Sequence, residues 1–146
     1  MIEAGLYAAT ARGLQDVIIV AVTNRALRDR LAESNRLIGG WPEGHDPFYG
    51  APDVLIVLAE KDKKNRKADG ALAMGNMMLA AHALGLGSCW INRAYEEFET
   101  EEYQALLKEI GVKGEYEGIG HLILGFPDGE APQPAPRAEK RVFYVE

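Results

Sequence analysis

The sequence predicts an α/β or α+β domain in which strands surround one buried helix, and three observations support this. Residues 69–86 are almost all apolar or small, with Asn76 and His82 as polar interruptions, and a helix that is apolar on every side lies in a core, an interface or a membrane. Two short apolar runs rich in β-branched residues, 17–22 and 54–59, predict strands that are buried on both faces. Strands and helices alternate along the chain, as in α/β and α+β proteins.

The first half of the chain predicts a helix, a strand, a helix and a second strand. Residues 2–7 resemble the last turns of a helix, and the run 17–22 follows after a loop of small residues. Asn24 is a suitable N-cap for a helix over residues 26–37, because its side chain can accept a hydrogen bond from the first helical turn. Residues 39–51 form a long loop, and loops of this length are usually functional or disordered.

The second half begins with the central helix, which Gly85 and Gly87 are expected to end because glycine readily adopts the left-handed conformation. We expect a strand over 88–91, an acidic segment leading into a helix that ends near residue 110, a strand over 117–124, a proline-rich extended arm over 128–136, and strand-like alternation over 141–145. A strand on such an arm cannot easily return to its own core. We therefore expect it to pack on a partner subunit, as in domain swapping.

Bulk composition limits the classes of function. The chain of 146 residues is expected to form a single domain over residues 1–146. A formal net charge of -6 argues against a duplex nucleic-acid binder, which needs a basic face. A lone cysteine, Cys89, excludes an internal disulfide, and with the absence of a signal peptide it indicates a cytoplasmic protein. A membrane span needs about 20 predominantly apolar residues, and Asp69, Asn76 and His82 interrupt the central helix, so we expect no membrane span.

Side chains able to do chemistry do not form a recognisable catalytic set. His45, His82 and His121 lie at unrelated spacings, so no metal site is expected, and His82 is interpreted as a hydrogen-bonded core histidine. Cys89 lies in an apolar strand and is expected to be inert. Ser88 lacks the G-x-S-x-G setting of a hydrolase nucleophile. We therefore expect no catalytic side chains, and either a binding role or a cofactor that carries the reaction.

Loop residues offer the elements of a ligand site without defining one. Three arginines that could meet an anion are Arg12, Arg93 and Arg137, and four aromatic residues that could wall a flat ligand are Trp41, Phe48, Tyr49 and Trp90. Core packing is the simpler interpretation for Phe48 and Trp90. A glycine-rich dinucleotide loop is excluded, because Gly85-Leu-Gly-Ser follows a helix whereas a dinucleotide-binding loop follows a strand.

Four segments together resemble the flavin-dependent nitroreductase family. Residues 3–15, EAGLYAATARGLQ, are similar to the family segment E-A-x-x-A-P-S/T-x-x-N/G-x-Q. Residues 48–57 resemble its F-x-x-A-P entry into a strand, and residues 69–91 resemble its D-x-x-x-A-x-x-N-x-x-L-A-A-x-x-L-G-L-G-S-x-W-I helix and strand. Residues 124–127, LGFP, followed by Pro136 and Arg137, look like its C-terminal L-G-Y-P … K/P-R.

The resemblance implies an α+β fold: a three-layer α/β/α sandwich with a mixed sheet around the buried central helix, in an intertwined homodimer. It implies FMN bound between the subunits, with NAD(P)H as electron donor and a nitroaromatic, quinone or similar small molecule as acceptor in a ping-pong reaction. Carried over by position, the flavin-binding residues would be Thr10, Ala11, Arg12, Gln15, Trp90, Ile91, Asn92, Arg93 and Arg137. Phe48 and Tyr49 would approach the flavin.

One family segment precedes the point at which this chain begins. Family members normally start with a helix and an R-R-S-x-R segment, whose arginines clamp the flavin phosphate. Charge-assisted contacts of that kind contribute about 1.5–3 kcal/mol each, so binding without two of them is expected to be about two to four decades weaker. The alternative to an active oxidoreductase is therefore an N-terminally truncated, non-catalytic or weakly flavin-binding dimeric ligand-binding protein of the same fold.

Overall fold

The computed structural model describes residues 1–130 and 133–145. Within these residues the elements are α1 (Ile2–Leu6), a 3-10 turn (Ala11–Gly13), β1 (Val17–Val22), α2 (Arg25–Ile38), β2 (Asp53–Glu60), α3 (Arg66–Ala83), β3 (Gly87–Ile91), α4 (Ala94–Phe98), α5 (Glu101–Glu109) and β4 (Tyr116–Gly125). Asn24 caps α2 as expected, its Oδ1 accepting a hydrogen bond of 3.0 Å from the Leu27 N–H. The acidic segment forms two short helices, α4 and α5, where one was expected.

The four strands form one sheet in the order β1-β2-β4-β3. Every pairing is antiparallel, so the expectation of a mixed sheet is wrong for the part of the chain that the structure describes. After α2, residues 39–52 bring the chain back to the sheet end at which β1 finished, where Val22 faces Val54. Because β2 starts beside the end of β1, it must run in the opposite direction.

Helices cover both faces of this sheet. On β2, Leu55 and Val57 pack with Met74 and Met77 of α3, while the alternate residues pack with α2, α4 and α5. Successive side chains of a strand point to opposite faces, so the continuous apolar run of β2 serves two cores. The expected three-layer α/β/α arrangement is confirmed.

Helix α3 is buried only on the side that faces the sheet. It starts three residues before the expected position and ends before Gly85, whose φ of 74° ends the helix as expected. Its other side is open in the described chain, where Leu79 is 72% exposed and His82 is also exposed. The expectations of a helix buried all round and of a core His82 are therefore wrong for the single chain, because α3 lies in an outer layer. None of the helices in the described residues has the length and apolarity to cross a membrane.

The C-terminal arm leaves its own core. Residues 133–145 contain no strand, so the strand-like alternation over 141–145 is not realised within the described chain. Phe143 and Tyr144 are both more than four-fifths exposed. Residues 131 and 132 of the arm, and residue 146, lie outside the described residues. The side chains of Phe143 and Tyr144 are therefore not covered by the part of the chain that the structure describes.

Candidate functional site

The segment before β1, residues 10–15, has an unusual backbone. Arg12 has φ 58° and Gln15 has φ 52°, in the left-handed region that residues other than glycine seldom adopt. The Thr10 hydroxyl accepts a hydrogen bond of 2.9 Å from the Gln15 N–H, and the Ala11 N–H donates one of 3.1 Å to Asp69 Oδ1 at the start of α3. Strained backbone of this kind clusters at ligand and active sites, where the surroundings hold it.

A buried carboxyl lies beneath this segment. Asp16 is 1% exposed, and Asp69, which holds the Ala11 N–H, is 8% exposed. Burial raises the pKa of Asp16 above its ordinary value, and the neighbouring carboxylates of Asp69 and Glu60 raise it further, against a lowering backbone hydrogen bond. Sequence analysis missed Asp16, although an acidic residue directly before a buried apolar strand is a visible signal.

Thr10 and Gln15 line a cavity of about 190 Å³ together with Gly5 and Ala73. Sites for small molecules and cofactors usually have volumes of about 300–1,000 Å³. This cavity alone is therefore too small for a cofactor, and a complete site would require additional surface.

The second expected segment, residues 90–93, consists of the last two residues of β3 and the turn that follows it. Ile91 is buried, and Trp90 is partly buried over Gly120, where a side chain on the glycine would collide with the indole. Arg93 has φ 79°, and its guanidinium carbon lies 4.4 Å from the centroid of the Trp41 ring, a cation–π contact.

Backbone hydrogen bonding in this turn is asymmetric. The Asn92 carbonyl accepts a hydrogen bond of 2.8 Å from the buried amide of Asn35, and the Arg93 carbonyl accepts one of 3.1 Å from the Glu97 N–H. Among the described residues, none accepts a hydrogen bond from the N–H of Asn92 or Arg93. The turn therefore presents two neighbouring donors while its carbonyls are already bonded.

A single chain does not unite the two segments. Residues 10–15 precede β1 at one edge of the sheet, and residues 90–93 span the end of β3 at the other edge. Two strands lie between them, which corresponds to about 14 Å at the usual strand spacing of 4.7–4.9 Å. Thr10 and Trp90 accordingly line separate cavities.

The remaining expected residues lie outside residues 10–15 and 90–93. Arg137 is exposed on the arm, where its side chain donates hydrogen bonds to the Ala135 carbonyl. Phe48 is fully buried and belongs to the core, as the simpler interpretation predicted, because its ring fills the space between Arg28 and His121. Tyr49 lines a different cavity of about 460 Å³ with Cys89, whose thiol is free and exposed.

Sequence analysis did not predict that three residues lie against the turn after β3: Asn35, Glu97 and His121. All three are fully buried. For Asn35 a signal existed, since it lies three and four residues after Ala32 and Leu31 on the apolar side of α2. For Glu97 and His121 no signal existed, because their partnership joins residues 24 positions apart. Within the described residues there is no group of three or more histidine, cysteine or acidic side chains arranged for a metal ion.

Comparisons with known proteins agree with the resemblance. Solved structures similar to this chain include an FMN-bound nitroreductase from Bacteroides fragilis NCTC 9343, with 28% identity over 99% of this chain and 84% of that one and a TM-score of 0.88. An FMN-bound nitroreductase from Desulfitobacterium hafniense DCB-2 has 20% identity over the same shares and a TM-score of 0.84. Iodotyrosine deiodinase bound to FMN and 3-iodo-L-tyrosine has 21% identity, again over 99% and 84%, and a TM-score of 0.72. The last two identities show a shared fold alone.

Sequence comparison identifies the family. A search of curated proteins finds no match. The model of the nitroreductase family matches residues 40–126, which is more than half of the chain and includes β2, α3, β3 and β4. The chain therefore belongs to the nitroreductase family.

Proposed function

We propose that this chain is an FMN-dependent NAD(P)H oxidoreductase that reduces nitroaromatic, quinone or similar acceptors. The observation that carries the proposal is the left-handed backbone at Arg12, Gln15 and Arg93. The resemblance assigns all three to flavin binding on sequence alone. A strained backbone costs about 1–3 kcal/mol per residue and persists where function requires it. FMN in solved nitroreductases of the same fold supports the same cofactor here.

The residues of this chain fit a flavin. Trp90, which is partly buried over Gly120, supplies an apolar surface for a flat ring system, and the unbonded N–H groups of Asn92 and Arg93 supply donors next to it. Arg12 and Arg137 are exposed cations that form no ion pair within the described residues, and a phosphate group requires such charges. Bound FMN would supply the redox chemistry, accepting electrons from NAD(P)H and passing them to the acceptor. The side chains bind and orient, so no catalytic acid or base is assigned.

We further propose that the active form is a homodimer of single-domain subunits with one flavin per subunit bound between them. The open side of α3 and the exposed arm residues Phe143 and Tyr144 leave apolar surface that a second copy can cover. Segments 10–15 and 90–93 lie at opposite edges of one chain's sheet, so a second subunit is a direct way to complete a site. The free thiol of Cys89 suits the reducing cytoplasm.

The cofactor prediction is tested by an absorbance scan of purified protein before and after incubation with FMN and gel filtration. We expect the visible flavin band to elute with the protein, and we expect the loaded protein to oxidise NADH or NADPH when a nitroaromatic or quinone is present. A protein that retains no flavin and takes none up contradicts the proposal. Flavin binding without oxidation of either nucleotide supports the non-catalytic alternative.

The dimer prediction is tested by light scattering at micromolar concentration. We expect Leu79→Arg to weaken association of subunits at least tenfold, because a charge would be buried in the proposed interface. Leu37→Arg is the matched control, since Leu37 is 63% exposed against 72% for Leu79 and lies on α2 in the opposite layer. A monomeric wild-type protein, or equal effects of the two substitutions, would contradict this interface.

A further inference from the structure

A glutamate and a histidine form a hydrogen-bonded pair inside the core between α4 and β4. His121 Nε2 and Glu97 Oε2 are in contact, and both side chains are 0% exposed. Their neighbours include the Phe48 ring, whose centroid lies 5.4 Å from that of His121. Within the described residues, Glu97 Oε1 and His121 Nδ1 have no hydrogen-bond partner. Buried pairs of this kind contribute little to stability compared with apolar residues of the same volume, so their position calls for another explanation.

The pair closes a ring of contacts around the turn after β3. His121 lies opposite Ile91 in the β3–β4 ladder, and Ile91 directly precedes Asn92 and Arg93. The Glu97 N–H donates to the Arg93 carbonyl at 3.1 Å, and the Glu97 side chain returns to His121. The segment from Ile91 to Glu97 therefore begins opposite His121 and ends in contact with it.

Two further features fix the same turn from outside this ring. The Asn35 amide donates to the Asn92 carbonyl at 2.8 Å. Gly118 on β4 lets α4 approach closely, since a side chain on that glycine would overlap the Ala94 carbonyl. Arg93 keeps its φ of 79° only while its surroundings enforce it. The hydrogen bonds and close packing described above can enforce this conformation.

We propose that Glu97 and His121 are positioning residues, which hold the backbone of Asn92 and Arg93 in the conformation that presents their N–H groups to the flavin. The inference rests on the proposed flavin site. It assigns a role to two buried residues that would not touch the cofactor. Supporting groups of this kind fix the geometry of a binding site because they lock the residues that make the contacts.

The test compares three variants of the full-length protein by two measurements. Glu97→Ala removes the side-chain hydrogen bond to His121 but keeps the backbone hydrogen bond to Arg93. Glu97→Gln keeps both the side-chain volume and a hydrogen bond to His121. Leu107→Ala is the matched control, since Leu107 is buried in the same core on α5 and lies outside the ring. The first measurement is the hydrogen-exchange protection of the residue-97 amide in FMN-free protein, and the second is the Kd for FMN from quenching of flavin fluorescence.

We expect Glu97→Ala to lower the protection factor and raise the Kd for FMN about tenfold each, as for the loss of one partner of a buried hydrogen bond. Glu97→Gln should remain within about twofold of wild type in both measurements. Leu107→Ala should lower the thermal midpoint but leave the protection factor and the Kd for FMN within about twofold of wild type.

Unchanged protection and affinity in Glu97→Ala, or equal losses in Leu107→Ala, would overturn the proposal. A wild-type protein that binds no FMN contradicts the proposed function. In that case the protection factor alone decides whether the pair holds the turn, since it is measured without the cofactor.

Discussion

Replacing Gly118 by alanine is expected to lower the free energy of unfolding by at least about 3 kcal/mol, the upper end of the usual cost of overpacking. A methyl group at this position would overlap the backbone carbonyl of Ala94 at the start of α4. Backbone cannot rotate away as a flexible side chain can, so α4 must move off the sheet. That movement would also separate Glu97 from His121. Urea denaturation followed by circular dichroism measures the effect.

Gly87→Ala is the matched control for this substitution, because Gly87 also lies in a strand of the same sheet. A methyl group on Gly87 would meet the Gly125 carbonyl oxygen at 3.5 Å, which is ordinary van der Waals contact. We expect its effect to stay within about 0.5 kcal/mol, as for most substitutions that meet no special feature. Wild-type stability in Gly118→Ala would show that α4 does not pack against β4 as described.

Asp46→Ala is expected to have the second large effect, lowering the free energy of unfolding by about 3 kcal/mol. Asp46 holds the loop between α2 and β2, accepting hydrogen bonds from the Phe48 and Gly50 N–H groups at 2.9 and 2.8 Å and from the Arg28 guanidinium at 2.7 Å. Breaking a buried ion pair costs about 3–5 kcal/mol. The lower end applies because the Arg28 side chain is only 3% exposed but that of Asp46 is 35% exposed.

The pH dependence of this effect follows from the pKa of Asp46. Burial raises that pKa, but the hydrogen bonds from Arg28 and from the two N–H groups outweigh burial and lower it overall. A carboxyl whose pKa is lower in the folded state stabilises that state above its unfolded pKa of about 3.9. The contribution is lost as the pH falls through the folded pKa. The difference in stability between wild type and Asp46→Ala should therefore be complete near pH 7 and shrink below about pH 4.

Asp29→Ala provides the control for Asp46→Ala. Asp29 also pairs with Arg28, at 3.3 Å, but its side chain is 48% exposed, and surface ion pairs contribute about 0–1 kcal/mol. Denaturant titrations at pH 7 and pH 3 would compare the two variants. Equal losses in Asp29→Ala and Asp46→Ala at pH 7 would show that the loop is not anchored at Asp46.

Local sequence patterns were sufficient to predict most of the helices and strands. The apolar run of β2 requires burial on both faces whatever the topology, and Gly85 ends α3 through its own backbone freedom. The resemblance also selected residues 10–15 and 90–93, where the structure shows left-handed backbone at Arg12, Gln15 and Arg93. Such properties belong to short stretches of chain, so they can be recognised in a single sequence.

Contacts between distant residues decided the rest. The antiparallel sheet depends on the path of residues 39–52, and the exposure of Leu79 and His82 depends on which side of α3 the sheet covers. Phe48 was a candidate wall of a ligand site, but it belongs to the core because Arg28 and His121 enclose its ring. The Glu97–His121 pair joins positions 24 residues apart, so no periodicity could reveal it. By itself the sequence determined most of the helices and strands and the family that they resemble. Only the tertiary structure decided which side chains meet, because those contacts depend on packing between elements and not on local propensity.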